Sequence, residues 1–202
     1  MALATIPAFA SSSVLRGTFT QDDNIALFSF SISAGDLVTL QSYGYAGGVA
    51  PGDVVIPGGG FAPNLVLFDN TGMFIASDNG GHCAITGADA VTGNCDDPYL
   101  QESLAAGAYT LALVEWDNTA IDTLSDGFKQ DGNSGFTCAE FGTDGNFCDV
   151  TTAVGTRRSG DYALTISAAD LVTTATPEPA SFALFCSASL IALLRRGTRK
   201  SA

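Results

Sequence analysis

The sequence has few of the residues on which catalysis and nucleic-acid binding depend. Its 202 residues include one histidine, His82, and only eight lysines and arginines against 21 aspartates and glutamates. His82 adjoins Cys83, which we expect in a disulfide, so a Ser-His-Asp triad and a Cys-His pair are both disfavoured. Between residues 11 and 176, four basic and 20 acidic side chains give a net charge of −16, which repels phosphate backbones and attracts cations. We therefore expect a protein that is not an enzyme and does not bind nucleic acid.

The chain before Pro177 also lacks any sustained helical period, and its hydrophobic pattern alternates instead. In residues 25–33, for example, Phe28, Phe30 and Ile32 share one face and serines occupy the other. Strands are predicted over residues 14–20, 25–33, 36–43, 64–69, 73–77, 99–103, 109–116 and 161–167. We expect three hairpins among them, joining 25–33 to 36–43, 64–69 to 73–77 and 99–103 to 109–116. An antiparallel β-sandwich of about eight strands is the all-β architecture that buries these faces.

Long loops are predicted at residues 44–63, 79–97 and 117–159, with a short strand near residues 54–56. Two of these loops hold four of the five cysteines: Cys83 and Cys95 are 12 residues apart, and Cys138 and Cys148 are 10 apart. Two local disulfides are the natural pairing, although four cysteines allow three connectivities. A zinc site is the competing interpretation, but there is no CxxC motif. Cys186 belongs to a hydrophobic segment and is interpreted as an apolar filler.

Oxygen-bearing side chains at predicted strand ends suggest a calcium site. Asp69, Asp78 and Asp117 each follow a strand, and we expect them at one end of the sandwich, where calcium would find several hard ligands. The alternative is that turns simply favour Asp and Asn.

Aromatic residues suggest a second kind of binding surface. Trp116 and Tyr99, with Tyr43 and Tyr45, are candidates for a platform that stacks on sugar rings; the alternative is core or rim packing.

The two ends of the chain look like targeting segments that flank one domain, residues 11–176. At the C-terminus, Pro177, Glu178 and Pro179 precede residues 180–194, which contain no charge, glycine or proline, and a basic tail follows with Arg195, Arg196, Arg199 and Lys200. As a helix, residues 180–194 reach about 22 Å across a hydrocarbon core of roughly 30 Å, a marginal transmembrane span. The positive-inside rule puts the basic tail in the cytoplasm and the domain outside. The alternative is a buried C-terminal helix of a soluble domain.

Residues 1–10 are apolar and end in Ala8, Phe9 and Ala10, the small-x-small pattern that signal peptidase cleaves. A basic n-region and a full apolar region are missing, so we interpret residues 1–10 as the remnant of a signal peptide. A short disordered N-terminus is the alternative.

Together, the PEP triplet, the apolar segment and the basic cluster of residues 177–202 resemble the bacterial PEP-CTERM sorting signal. The resemblance implies export, transient anchoring in the inner membrane with the C-terminus cytoplasmic, and processing by an exosortase. It also implies a destination in the cell envelope, on the outer surface or in an exopolysaccharide matrix.

Four motifs of the domain, FSFSISAG at 28–35, NLVLFDNTG at 64–72, LAAGAYTL at 104–111 and GDYALTI at 160–166, resemble the bacterial pre-peptidase C-terminal domain. That family is a jelly-roll-like sandwich carried by secreted proteases, whereas this chain has no protease and has long inserted loops. We therefore expect an exosortase-processed, non-catalytic surface or exopolysaccharide-associated protein. The alternative is a calcium-dependent carbohydrate-binding module; a hydrolase would have to rely on an acid pair such as Asp96 and Asp97.

Overall fold

The computed structural model describes residues 11–173. The proposed signal-peptide remnant, the PEP triplet, the hydrophobic segment and the basic tail lie outside the described residues. Between residues 11 and 173, none of the helices has the length and hydrophobicity of a membrane span.

Strands dominate the described part of the chain. They are β1 Ser11–Thr18, β2 Ala26–Ile32, β3 Asp36–Ser42, β4 Gly48–Ala50, β5 Val54–Ile56, β6 Pro63–Asp69, β7 Phe74–Asp78, β8 Tyr99–Leu104, β9 Gly107–Glu115, β10 Asp161–Ala168 and β11 Leu171–Thr173. Short helical turns lie in the loops: α1 Cys83–Thr86, α2 Phe136–Ala139 and a 3₁₀ turn at Leu124–Asp126.

The strands form two larger antiparallel sheets and a small ribbon. The four-stranded sheet has the order β1-β10-β3-β8, the five-stranded sheet has the order β11-β2-β9-β6-β7, and β4 pairs with β5. Both larger sheets contribute to one hydrophobic core, with Leu40 and Leu164 from the first and Phe28 and Leu111 from the second. The expected all-β, antiparallel architecture is confirmed.

Alternation along β2 explains how this core forms. Phe28, Phe30 and Ile32 are buried, while Ser29 between them is exposed. Burying a side chain such as phenylalanine contributes about 1.5–3 kcal/mol, so the serine-rich face turns to solvent and the aromatic face turns to the other sheet. The prediction for this strand is confirmed.

Two of the three predicted hairpins are wrong. β2 pairs with β9 and β11, whereas β3 pairs with β10 and β8 in the other sheet. In the same way β8 and β9 belong to different sheets. Alternation reveals which face of a strand is buried but not which strand lies beside it. The short links at residues 33–35 and 105–106 therefore carry the chain across the core from one sheet to the other.

The third hairpin is confirmed. β6 and β7 pair antiparallel through a turn in which Gly72 has φ 84°, a conformation that glycine adopts without strain.

Long loops pack on the outer faces of both sheets. The β4–β5 ribbon covers part of the four-stranded sheet, with Ile56 of the ribbon packed in one cluster with Tyr43 and Ala163. On the five-stranded sheet, Phe128 packs against Val66 in a second cluster. The long loops are thus built into the domain, and the strand predicted near residues 54–56 is confirmed as β5.

Candidate functional site

Two disulfides close the two cysteine-containing loops. Cys83 is bonded to Cys95 and Cys138 to Cys148. The predicted local pairing is confirmed, and these four sulfurs are therefore not zinc-binding thiolates.

A buried cation joins three loops at one end of the sandwich. The Arg158 side chain is only 3% exposed and donates a hydrogen bond to Asp89 Oδ1 at 3.1 Å. It also donates to the carbonyl oxygens of Gly60 and Tyr45, at 2.8 and 2.7 Å. Hydrogen bonds from Arg158 and Thr92 hold the pKa of Asp89 below its usual range against the opposing effect of burial. Because both charges are buried and paired, the ion pair fixes the relative positions of these loops.

Buried carboxylates anchor the same loops to one another. Asp97 is fully buried and accepts hydrogen bonds from Ser42 Oγ and from the backbone N–H groups of Tyr45 and Ala46. Asp149 accepts a 2.6 Å hydrogen bond from the Tyr45 hydroxyl. Burial, with the Asp149 carboxylate adding to it, raises the pKa of the Tyr45 hydroxyl above its usual range, so this group remains a donor.

Glu115 is the unusual carboxyl of this end. It is 1% exposed, and its Oε2 has no hydrogen-bond partner among the described residues. Burial raises its pKa well above the ordinary value, and the charges of Asp22 and Asp149 add to that effect. A buried carboxyl in this environment is favoured in its neutral form.

The expectation that Asp69, Asp78 and Asp117 share one calcium site is wrong. In the antiparallel register, Asp69 pairs with Tyr109 at one end of β9, whereas Asp117 follows Glu115 at the other end. Turn formation explains Asp69, which accepts hydrogen bonds from the backbone of Thr71 and Met73.

The other two predicted ligands are also engaged elsewhere. Asp78 contacts His82 Nε2 at 2.8 Å and accepts from the N–H groups of Gly80 and Tyr99. Asp117 pairs with Lys129 at 3.1 Å. Across residues 11–173, no three histidine, cysteine, aspartate or glutamate side chains are grouped as metal ligands would be.

The predicted aromatic platform is only partly accessible. Tyr43 and Tyr45 are buried at 8% and 0% exposure, so they belong to the packing of the domain. Trp116 and Tyr99 are half-buried, and the ring of Tyr99 lies edge-on to His82.

A cleft of about 340 Å³ lies between the β1–β10 edge of the four-stranded sheet and the chain that follows β5. Arg16 and Asp161 line it, as do Ile56 and Pro57. Thr18 Oγ1 and Ser159 Oγ donate hydrogen bonds to the two carboxylate oxygens of Asp161, at 2.7 and 3.1 Å. This cleft is the candidate ligand site of the described domain.

Sequence reasoning missed this site. The sequence predicts that Arg16 lies in one strand and Asp161 in a different strand. Nothing in the local sequence around either residue indicates that it lines a cavity. The only signal was the run Gly58-Gly59-Gly60, since consecutive glycines indicate close approach of backbone segments. Gly60 meets this condition, because a Cβ there would lie 2.2 Å from the Asp161 carbonyl oxygen.

No protein-family model matches the chain. No curated protein matches it significantly either.

Proposed function

We propose that this chain is an exported, exosortase-processed surface or exopolysaccharide-associated protein with a non-catalytic, jelly-roll-like β-sandwich domain. The observation that carries the proposal is the pair of disulfides, Cys83–Cys95 and Cys138–Cys148, in the two cysteine-containing loops. Disulfides of this kind form and persist in oxidising compartments outside the cytoplasm. Residues 177–202, which resemble a sorting signal, direct the chain to such a compartment in this proposal.

In this proposal the C-terminal segment is a temporary anchor. Residues 180–194 enter the inner membrane, Arg195 and Arg196 remain on the cytoplasmic side, and the PEP triplet emerges where an exosortase acts. Release then delivers the domain to the outer surface or to an exopolysaccharide matrix.

The loop-bearing end of the sandwich suits a protein that works outside the cell. Each disulfide closes one long loop, the buried Arg158–Asp89 pair joins two loops, and the hydrogen bond from Ser42 to Asp97 ties a loop to β3. Such anchoring lowers the population of locally open forms, which proteases cleave. A surface of fixed shape is therefore presented to the exterior.

Thiol labelling in intact cells tests the export step. The chain is expressed from its own locus in a host that carries an exosortase, and cells are treated with an alkylating reagent before and after reduction. We expect the four loop cysteines to be labelled only after reduction, and a form made without its export signal to be labelled directly. Direct labelling in both cases would contradict export.

A second candidate function is a carbohydrate-binding module, which the cleft beside Arg16 and Asp161 favours. The cleft combines charged and hydroxyl groups with apolar side chains, as sugar sites do. Calcium dependence is expected of such a module. Within residues 11–173, however, no three acidic, histidine or cysteine side chains are grouped so that they could hold a calcium ion.

A further inference from the structure

We infer that the cleft lined by Arg16, Asp161 and Pro57 binds a neutral hexopyranose unit of a polysaccharide chain. This inference rests on the proposed function, because it names the ligand that an exopolysaccharide-associated domain would hold.

Small residues form part of the lining of the cleft. Gly44 and Ala163 line it where the β4–β5 ribbon leaves the outer face of the sheet. A Cβ on Gly44 would lie 3.2 Å from Tyr162 Cα, and one on Gly58 would lie 2.6 Å from the Ala46 carbonyl oxygen. Backbone crowding therefore requires glycine at position 58, whereas a side chain at position 44 would need its neighbours to shift slightly. A space of about 340 Å³ falls at the small end of the range for ligand pockets, which suits one sugar ring better than a large cofactor.

The polar side of the cleft is held in a fixed orientation. Each oxygen of the Asp161 carboxylate already accepts one hydroxyl hydrogen bond, from Thr18 or from Ser159. A carboxylate oxygen has two acceptor positions, so each oxygen retains one for a ligand hydroxyl. Because the carboxylate need not be ordered on binding, less entropy is lost.

Arg16 supplies donors to the same cleft. One Nη atom donates to the Val55 carbonyl oxygen at 3.2 Å, which leaves several of its five N–H groups for a ligand. Within the described part of the chain, Lys129 and Arg158 are paired with carboxylates, whereas no carboxylate lies within 4.0 Å of Arg16. A guanidinium and a carboxylate on one rim can each engage a pair of adjacent ligand hydroxyls.

Apolar residues also line the cleft. Ile56 and Pro57 lie where the chain leaves β5, and Pro57 is exposed. A pyranose ring has a C–H face and an edge of hydroxyls, so it matches a cleft that holds both apolar and hydrogen-bonding groups better than a fully charged ligand does.

Charge favours a neutral sugar over an acidic one. Arg16 and Asp161 offset each other within the cleft, which leaves the −16 field of residues 11–176 acting on the ligand. A uronate would gain one contact with Arg16 but would be repelled by Asp161 and by the domain. A neutral hexose is not repelled by the negative charge of the domain.

Calorimetric titration of the protein as it is recovered, in mild detergent, from a host that carries an exosortase tests the inference. The probes are hexamers of neutral glucans with α-1,4, β-1,3 and β-1,4 links, a mannohexaose, and an oligogalacturonate as the acidic probe. We expect saturable binding of at least one neutral hexamer, weakened tenfold or more by Arg16→Ala and by Asp161→Asn. Arg157→Ala and Asp144→Asn are matched controls, because they make the same changes at exposed residues that do not line the cleft.

Thermal melts of all variants show whether each one is folded, and Thr18→Trp, which fills the mouth of the cleft, gives an independent way to block it. Absence of binding to every neutral hexamer, binding that both cleft variants retain, or binding of the oligogalacturonate alone would overturn the inference. Tail cleavage and cysteine oxidation are scored in the same preparations. Normal processing without sugar binding would refute this inference alone, while reduced cysteines and an uncut tail would refute the proposed function.

Discussion

The guanidinium carbon of Arg158 lies 4.0 Å from the centre of the Tyr45 ring. The same guanidinium pairs with Asp89, so one side chain contacts the loop after β3 and the loop that contains the first disulfide. A desolvated cation over an aromatic face contributes about 2 kcal/mol, in addition to the ion pair. This contact explains how loops far apart in sequence share one conformation.

Replacing Arg158 with alanine should strongly destabilise the domain. The change leaves Asp89 buried and without its partner charge, which costs about 3–5 kcal/mol when a buried pair is broken. Chemical denaturation measures the free energy of unfolding. Arg157→Ala is the matched control, because Arg157 is exposed and bonds to backbone carbonyl oxygens, and it should cost less than about 1 kcal/mol. Equal losses for the two variants would contradict this role of Arg158.

Glu115→Gln should stabilise the protein, and the gain should grow as the pH rises. Burial raises the pKa of Glu115, so its folded-state pKa exceeds the unfolded value of about 4.3. The contribution of the neutral acid is fully present below the unfolded pKa and is lost as pH rises towards the folded pKa. Glutamine has nearly the same shape as the protonated glutamate side chain and carries no charge at any pH.

Unfolding free energies of parent and variant at pH 4, 6 and 8 measure this difference. Glu140→Gln, at an exposed position, is the control for the chemical change itself. A gain from Glu115→Gln that does not increase from pH 4 to pH 8 would show that Glu115 ionises in the folded protein without penalty.

Each disulfide should contribute about 3 kcal/mol to stability, because loops of this size lose that much entropy when closed in the unfolded chain. Paired serine substitutions at Cys83 and Cys95, or at Cys138 and Cys148, should lower the unfolding free energy by that amount. Peptide mapping without reduction should recover both pairs. A peptide that links one loop to the other would refute the assignment.

Calcium should not act through a site shared by the three strand-end aspartates. Asp69 and Asp117 lie at opposite ends of β9, and Asp78 is held by His82. The change in melting temperature on adding millimolar calcium should therefore be the same in the parent, in Asp69→Ala and in Asp78→Ala. A calcium-dependent rise that both variants abolish would restore the shared site.

Local patterns predicted local features well. The alternation in residues 25–33 predicts which side chains of β2 are buried, and the spacing of 10 and 12 residues predicts both disulfides. In each case the interacting groups are close in sequence, so composition and period carry the information.

Features that depend on distant residues were not predictable in the same way. The partners of β2 are β9 and β11, both far along the chain, and their identity depends on how the links cross the core. Asp69 and Asp78 are the last residues of β6 and β7, but antiparallel pairing places the ends of consecutive strands at opposite ends of the sheet. Arg16 and Asp161 line one cleft because β1 pairs with β10, and no short motif encodes that pairing.

The most direct test of the account is the intact mass of the protein recovered from cells that carry an exosortase. In the proposed function, Pro177, Glu178 and Pro179 direct removal of the C-terminal segment. We expect a shortened chain without Arg195–Lys200 for the parent, recovered outside the inner membrane, and a full-length chain in the membrane fraction when the triplet is changed to three alanines. Identical masses and identical fractionation of the two proteins would contradict it.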